Sequence, residues 1–180
     1  MIADKRMRQI GEDADLIFYM FTPSLFRLRY TKLTATKLRR QLRLILSLLF
    51  YGGYRVLYAY DKKDGKICAY SVVSTDENRL RAFEDNALVV GPEYTLGAYR
   101  RRGYATRLKQ VIADLCSGER EYLYICIADG NTANIRSAEN AGFRICGRVN
   151  KTGVLKKLIP AEDGVYVVLR KSIKAEEPKP

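Results

Sequence analysis

The region from residue 87 to residue 128 constrains the fold more strongly than any other. Two β-prone apolar runs, Ala87–Thr95 and Tyr122–Ala128, flank a helical pattern that extends from Gly103 to Cys116. A strand, a helix and a strand in this order predict parallel strand pairing with a right-handed crossover. Tyr122–Ala128 is almost continuously apolar, which is typical of a central strand buried on both faces.

A basic turn connects the first run to the helical pattern. Three consecutive arginines, Arg100–Arg102, precede Gly103, and Ala105 follows. Small residues let a ligand approach the main chain, and the N–H groups at a helix start attract anions. Arginine side chains add charge-assisted hydrogen bonds. The turn therefore predicts an anion site, with a pyrophosphate-bearing ligand as the first hypothesis.

The composition limits which ligands, catalytic groups and metal sites the chain can have. The 180 residues carry a net charge of +12, which favours nucleotides, nucleic acid, acidic membranes or anionic substrates without choosing among them. The sequence has no histidine, which excludes histidine-based triads and removes the commonest metal ligand. Its four cysteines have no CxxC spacing, so we expect reduced thiols and no bound metal. No signal peptide or membrane-spanning run is evident, and we expect a cytoplasmic location.

The N-terminal third predicts helices. We expect residues 1–13 to be flexible and Asp15–Phe26 to form a short helix followed by a turn. The leucine spacing in Leu38–Phe50 predicts an amphipathic helix whose opposite face carries Arg39, Arg40 and Arg43. We favour a helix that covers a sheet with a solvated basic face; contact with a membrane or an anionic substrate is the alternative.

The remaining segments predict a mixed sheet. Tyr54–Tyr60 and Lys66–Thr75 have the pattern of a hairpin, and Thr132–Asn140 has that of a helix. Phe143–Val149 and Val165–Arg170 predict two further strands. No repeat or internal linker is visible, so we predict a single domain of mixed α/β or α+β class over residues 1–180, with residues 174–180 flexible.

The basic turn resembles motif A of the GNAT-type N-acetyltransferases, which bind acetyl-CoA. That motif has the form Gln/Arg-x-x-Gly-x-Gly/Ala, and Arg100, Gly103 and Ala105 match it. Arg101 stands where the family usually has a further glycine.

A second stretch, Asn131–Phe143, resembles motif B of the same family, Asn-x-Ala-Ser-x-x-x-x-Glu-Lys-x-Gly-Phe. Asn134 and Asn140 replace the usual serine and lysine. The two motifs occur in the family's order, and the resemblance covers roughly residues 54–170.

The resemblance implies a fold and a cofactor site. The fold would be a mixed central sheet of about six to seven strands flanked by helices and splayed at the fourth and fifth strands, with Gly91-Pro92 at the disruption. The loop amides from Arg100 to Arg107 would hold the CoA pyrophosphate. Main-chain groups near Tyr94–Gly97 would bind the pantetheine and point at the thioester oxygen. The implied cofactor-binding residues are Thr95, Leu96, Gly97, Arg100, Arg101, Arg102, Gly103, Tyr104, Ala105, Thr106, Arg107 and Asn131.

The resemblance defines the general acid and the general base less clearly than the cofactor-binding residues. Many family members place a tyrosine acid seven positions after the motif-B asparagine, where this chain has Ala138. Tyr94 is our candidate acid, with Tyr124, Tyr166 or water as alternatives. Glu93 is our candidate base because it precedes the expected thioester position. Four loop carboxylates are weaker candidates: Asp76, Glu77, Glu84 and Asp85.

The predicted activity is direct transfer of an acetyl group from acetyl-CoA to a primary amine. The acceptor is a small molecule, with an amino sugar favoured, or a peptide N-terminus. The alternatives are a catalytically idle CoA-binding module and a basic protein associated with nucleic acid or a membrane. Tyr99 and Tyr104 flank the arginines, but no nucleic-acid-binding module is visible, so we expect no nucleic-acid partner. The sequence does not decide whether the chain forms a homodimer.

Overall fold

The computed structural model describes residues 6–28, 38–50, 53–75, 86–152 and 157–174. The chain divides into two compact units. The first comprises Met1–Thr75 and Gly91–Leu108, and the second comprises Asp76–Val90 and Lys109–Pro180. The single domain expected from the sequence stays a prediction.

The first unit contains an antiparallel sheet and a helix. Its elements are β1 (Met7–Glu12), β2 (Leu16–Phe21), α1 (Leu38–Phe50), β3 (Tyr54–Asp61), β4 (Lys66–Ser74) and the second half of β5 (Ala87–Thr95). Neighbouring strands follow chain order from β1 to β5, and the pairs from β1 to β4 are antiparallel. Leu44 and Leu48 of α1 pack on a cluster that includes Phe21, Tyr54 and Tyr58. This packing confirms that α1 covers a sheet.

Two N-terminal predictions were wrong. Met7–Glu12 is a strand rather than a flexible segment, and Leu16–Phe21 is a strand rather than a helix. A short apolar run does not reveal by periodicity whether it is a strand or a buried helix. The full-length pairing of β2 with β3 decides the outcome here. The basic face expected for α1 and the carboxylates between residues 76 and 85 lie outside the described side chains.

The second unit contains a mixed sheet and two helices. Its elements are the first half of β5, most of α2 (Tyr104–Leu115), β6 (Tyr122–Ala128), α3 (Thr132–Asn140), β7 (Arg144–Thr152), β8 (Lys157–Pro160) and β9 (Tyr166–Ser172). The strand order is β5-β6-β9-β7-β8. The β5–β6 pair is parallel, as predicted, and the others are antiparallel. The described residues thus form nine strands in total, rather than six to seven, because β1, β2 and β8 were not anticipated.

The parallel pairing in the second unit covers only part of β5. Its register matches Ala87–Val90 with Tyr122–Ile125, while β6 continues to Ala128 against β9. Gly91 follows with a φ of +124°, a conformation that favours glycine, and Pro92 has no N–H to donate. The ladder therefore ends at the disruption that the sequence predicted.

Gly164 provides a test of the packing in the second unit. A Cβ atom at this position would lie 2.5 Å from the main-chain nitrogen of Val149, so Gly164→Ala must displace β7. We expect the free energy of unfolding to fall by about 1–3 kcal/mol in chemical denaturation. Gly130→Ala is the matched control, because no atom lies within 4 Å of its added Cβ. Equal stability of the two variants would contradict this packing.

Candidate functional site

The basic turn adopts a conformation suited to anions. After β5, a 3-10 turn covers Gly97–Tyr99, and α2 begins at Tyr104. Arg101 has a φ of +63° and Gly103 a φ of +77°. Left-handed residues in a turn are common in main-chain loops that bind anions. The first turn of a helix also leaves its N–H groups without intrahelical acceptors. Arg101 adopts a conformation that glycine adopts at no cost, at the position where the family usually has glycine.

The outer amides of the loop have main-chain partners. The Arg100 N–H donates to the Gly97 carbonyl over 3.3 Å, and the Arg107 N–H donates to the Gly103 carbonyl over 3.1 Å. The stretch from Arg101 to Ala105 is therefore the part of the predicted loop best placed to bind an anion through its main chain.

Two tyrosines hold this loop through side-chain hydrogen bonds. The Tyr99 hydroxyl donates to Asp64 Oδ2 over 2.6 Å, and the Tyr104 hydroxyl donates to Asp61 Oδ2 over 2.8 Å. The two rings stack with their centroids 6.4 Å apart. Asp61 is buried and also accepts the main-chain N–H groups of Lys63 and Asp64. The turn between β3 and β4 thus fixes both ends of the arginine loop.

The protonation states support this network. The Tyr104 hydroxyl is the main cause that holds the pKa of Asp61 below its ordinary value, against the effect of burial. The hydrogen bond to Asp64 is the main cause that raises the pKa of Tyr99 to about 12. Burial, followed by the bond to Asp61, raises the pKa of Tyr104. Near neutral pH, Asp61 is therefore charged and both tyrosines are neutral donors.

Two of the predicted arginines form ion pairs with carboxylates. The Arg102 guanidinium lies 3.8 Å from Asp61 Oδ2. Arg107 forms ion pairs with Asp15 over 2.7 Å and with Asp13 over 3.3 Å, and the bond to Asp15 is the main cause that raises the pKa of Arg107. These two side chains hold the loop and the helix start in place.

Arg100 and Arg101 are exposed, as Arg102 also is, and no carboxylate among the described residues pairs with Arg100 or Arg101. Arg100 Nε donates to the Thr95 carbonyl over 3.2 Å, and its guanidinium lies 5.8 Å from the centre of the Tyr94 ring. Arg101 is exposed, and no hydrogen bond or ion pair joins it to another residue in the part of the chain that the structure describes. The Arg100 and Arg101 side chains are therefore the ones placed to meet a ligand.

The candidate acid and base lie on opposite faces of β5. Successive strand residues alternate between faces. Glu93 Oε1 lies 3.5 Å from the Ser71 hydroxyl, whereas the Tyr94 ring packs 6.3 Å from the Tyr70 ring. Both candidates are half-buried. A substrate along the edge of β5 would meet the carboxylate on one side and the phenol on the other.

One main-chain N–H in the stretch predicted to bind the thioester oxygen already has a hydrogen-bond partner within the protein. The Leu96 N–H donates to the Cys68 carbonyl over 2.9 Å, which ties the end of β5 to β4. Leu96 therefore does not supply the oxyanion-binding N–H expected near Tyr94–Gly97 in this arrangement. Cys68 is itself buried, and burial raises the pKa of its thiol to about 12, so the thiol is neutral at physiological pH.

In the second unit, Asn131 caps α3. Its Oδ1 accepts the main-chain N–H of Asn134 over 3.3 Å, and the residue is exposed. Ala138, where the family often has tyrosine, is fully buried. Of the alternative acids, Tyr124 is buried in the core and Tyr166 lies beneath the Lys151 ammonium at 3.5 Å.

Four carboxylates that hold the loop were not predicted from the sequence. These are Asp13 and Asp15, between β1 and β2, and Asp61 and Asp64, at the turn between β3 and β4. The pattern from Asp61 to Gly65 indicated only a hairpin turn. Its second role depends on partners about 40 residues further along the chain, which local patterns do not reveal.

Neither a metal centre nor a membrane helix is found in the described ranges. None of their His, Cys, Asp and Glu side chains form a group of three or more that could hold a metal ion. None of their helices is long and apolar enough to span a membrane.

The model of the acetyltransferase (GNAT) family matches residues 22–143, about two thirds of the chain. The chain therefore belongs to the GNAT acetyltransferase family, as its two motifs predicted. A sequence search of curated proteins finds no match.

Solved structures share this fold. A phosphinothricin acetyltransferase from Sinorhizobium meliloti in complex with acetyl-CoA has 18% identity and a TM-score of 0.53, over 75% of this chain and 69% of that one. A spermidine N-acetyltransferase from Vibrio cholerae with CoA and spermine has 10% identity and a TM-score of 0.56, over 87% and 95%. An aminoglycoside acetyltransferase with coenzyme A and kanamycin has 17% identity and a TM-score of 0.55, over 73% and 74%. At such identities the likeness shows the fold alone.

Substitution of Asp61 tests the support of the loop. Asp61→Asn weakens a charge-assisted bond at a buried site, so we expect the free energy of unfolding to fall by about 1–3 kcal/mol at pH 7. Because the folded pKa of Asp61 is lowered, its contribution is present above its ordinary value of 3.8 and is lost as the pH falls through the folded pKa. Denaturation curves of the variant and the unmodified chain should therefore converge in acid.

Glu12→Gln is the control for this prediction, because it removes an exposed ion pair with Lys62. We expect it to change stability by less than about 0.5 kcal/mol. An Asp61→Asn effect no larger than that of Glu12→Gln would contradict the supporting role of Asp61.

Proposed function

We propose that the protein transfers the acetyl group of acetyl-CoA directly to a primary amine. The observation that carries the proposal is the conformation of the arginine loop in a chain of the GNAT family. Arg101 and Gly103 adopt left-handed φ values just before α2, and the Arg100 and Arg101 side chains are exposed in the same loop. Such an arrangement suits a pyrophosphate.

The loop has room for this ligand. No atom lies within 4 Å of the position that a Cβ would occupy on Gly103 or on Gly97. In the proposal, the amides from Arg101 to Ala105 hold the pyrophosphate, and the Arg100 and Arg101 side chains neutralise its charge. When bound, acetyl-CoA supplies an acetyl group activated as a thioester.

The chain's own residues would move the protons. Glu93 would accept a proton from the acceptor amine, since an ammonium group has no lone pair with which to attack a carbonyl carbon. Tyr94 would donate a proton to the leaving sulfur from the opposite face of β5. The Arg100 guanidinium lies 5.8 Å from the Tyr94 ring centre, within the range of a cation–π contact.

The net charge of the protein says more about the class of amine acceptor than the fold does. The structures that share the fold are acetyltransferases whose titles name phosphinothricin, spermidine and aminoglycosides, and these are very different amines. A net charge of +12 repels polycations and attracts anions. We therefore favour a small amine that carries a negative group, such as a nucleotide-linked amino sugar, over a polyamine. A peptide N-terminus is the other candidate.

An idle cofactor-binding module is the second candidate function. The observation that favours it is the buried Ala138 at the position of the family's usual tyrosine, where no hydroxyl is present to act as an acid. Mass analysis of acetyl-CoA mixtures with anionic amino sugars, other small amines and peptides separates the two. Transfer to any of these supports the enzyme, and saturable CoA binding without transfer to any of them supports the module.

Gly103→Glu tests the cofactor loop. A carboxylate beside the loop amides would repel the pyrophosphate, and a side chain at a φ of +77° also distorts the loop. We expect the affinity for CoA, measured by calorimetric titration, to fall at least about a hundredfold.

The matched control for this test is Gly118→Glu. Gly118 has the same φ of +77° but lies in the turn after α2, so its variant should bind CoA as the unmodified chain does. Equal affinity of the Gly103 and Gly118 variants would show that the loop is not the cofactor site.

The rate of acetyl transfer tests Glu93 and Tyr94. Glu93→Gln should lower kcat about 10²–10⁴-fold, because it removes the group that would accept the amine proton. Tyr94→Phe should also lower kcat, because it removes the hydroxyl that would donate to the leaving sulfur. Glu162→Gln, in an exposed turn, serves as the control and should leave kcat unchanged. A Glu93→Gln variant with an unchanged kcat would remove Glu93 as the base.

A further inference from the structure

A tight turn after β2 places two apolar side chains in water. The Ser24 N–H donates to the Arg27 carbonyl over 3.1 Å, and the Arg27 N–H donates to the Ser24 carbonyl over 3.0 Å. Leu25 and Phe26 lie between these bonds, at the end of the turn. The Phe26 side chain is 100% exposed and the Leu25 side chain 51%. Water solvates such side chains poorly, so the turn is suited to contact with an apolar partner.

The turn is held on both sides by side-chain hydrogen bonds. The Arg6 guanidinium donates to the Ser24 hydroxyl over 2.8 Å. The Tyr54 hydroxyl donates to the Leu28 carbonyl over 2.7 Å. These bonds tie the turn to the start of β1 and the start of β3, while the apolar side chains between them stay exposed.

The end of α1 exposes a second apolar pair at the same end of the sheet. Leu48 packs on the cluster that contains Tyr54, whereas Leu49 is 53% exposed and Phe50, the last residue of the helix, 69%. Tyr54 begins β3 and is the residue bonded to the turn, so both exposed pairs lie where β3 begins. We call the four exposed side chains the apolar tip: Leu25, Phe26, Leu49 and Phe50.

The charge of the sequence around the apolar tip has one sign. From Leu16 to Tyr60 the chain contains no aspartate and no glutamate. The same stretch contains eight basic residues: Arg27, Arg29, Lys32, Lys37, Arg39, Arg40, Arg43 and Arg55. Arg27 and Arg6 are exposed at the turn itself. The region therefore favours a partner that is both anionic and apolar.

An anionic lipid surface has both properties, because its headgroups attract arginine and its acyl chains accept Leu and Phe side chains. A nucleic acid would attract the cations but offers no acyl surface to the leucines. The core of a protein–protein interface is depleted of charge, which fits this basic stretch less well. We propose that the apolar tip docks the protein on an anionic membrane surface, with Phe26 and Phe50 among the acyl chains and the arginines at the headgroups.

Docking by the apolar tip leaves the arginine loop of the same unit in water. Tyr54 begins β3, and Asp61, which is bonded to Tyr104 at the loop, ends it. The eight residues of this strand extend over roughly 25 Å. The tip and the loop thus lie at opposite ends of β3, and this inference does not depend on the identity of the ligand that the loop binds.

Co-sedimentation of the full chain with vesicles tests the docking. We expect binding to vesicles of equal parts phosphatidylserine and phosphatidylcholine that weakens as salt is added, and much weaker binding to phosphatidylcholine alone. Phe26→Ser and Phe50→Ser should each lower the partition coefficient about tenfold, because each removes an inserted ring. Val165→Ser is the matched control: that side chain is 60% exposed but belongs to the second unit, so its variant should bind normally.

A fluorescent probe separates insertion from adsorption by charge alone. The chain has no tryptophan, so Phe26→Trp and Val165→Trp each introduce a single indole. On the phosphatidylserine vesicles, we expect the emission of the Phe26→Trp variant to shift to shorter wavelength and to be quenched by lipids with brominated acyl chains. The emission of the Val165→Trp variant should not change.

Three outcomes would overturn the inference. The first is absence of vesicle binding by the unmodified chain, including the case in which the chain binds single-stranded RNA instead. The second is vesicle binding that Phe26→Ser and Phe50→Ser leave unchanged, because the cations alone would then explain it. The third is equal quenching of the two tryptophan probes, which would show that the apolar tip is not the part that enters the bilayer.

Discussion

The hydrogen bond from Tyr104 to Asp61 is the interaction on which the first unit's arginine loop depends. Asp61 ends β3 and Tyr104 begins α2, and the bond joins them over 2.8 Å at a site closed to solvent. A buried carboxylate is costly unless it is ionised and well bonded. Here the phenol, two main-chain N–H groups and the nearby Arg102 meet that requirement. The same groups hold the helix start against the sheet.

This anchoring divides the positive charge of the loop into two parts. Arg102 and Arg107 pair with carboxylates, which offsets part of their positive charge and ties them to the structure. Arg100 and Arg101 are exposed and have no carboxylate partner among the described residues. A loop that is ordered before the ligand arrives loses less conformational entropy on binding, which is the physical advantage of carboxylates that support the basic turn.

The sequence predicted the local structure around the candidate site well and the long-range contacts poorly. Ala87–Thr95, Tyr122–Ala128 and Thr132–Asn140 have the predicted bounds, because apolar runs, turn residues and a capping asparagine mark them locally. β2 was mistaken for a helix, since its identity depends on pairing with β3, far along the chain. Asp61 and Tyr104 are 43 residues apart, and no spacing rule joins them. Motif residues were therefore predictable, whereas the groups that support them required the structure.

We propose that the main chain from Arg101 to Ala105 binds the anionic part of the cofactor in this GNAT protein. Hydrogen exchange of these amides can be measured by mass spectrometry with and without saturating CoA. Bonds from the amides to a pyrophosphate slow exchange, so we expect strong protection of the peptide that spans Arg101–Ala105 when CoA is present. Unchanged exchange in that peptide, under conditions where CoA binding is saturated, would show that these amides do not bind the ligand.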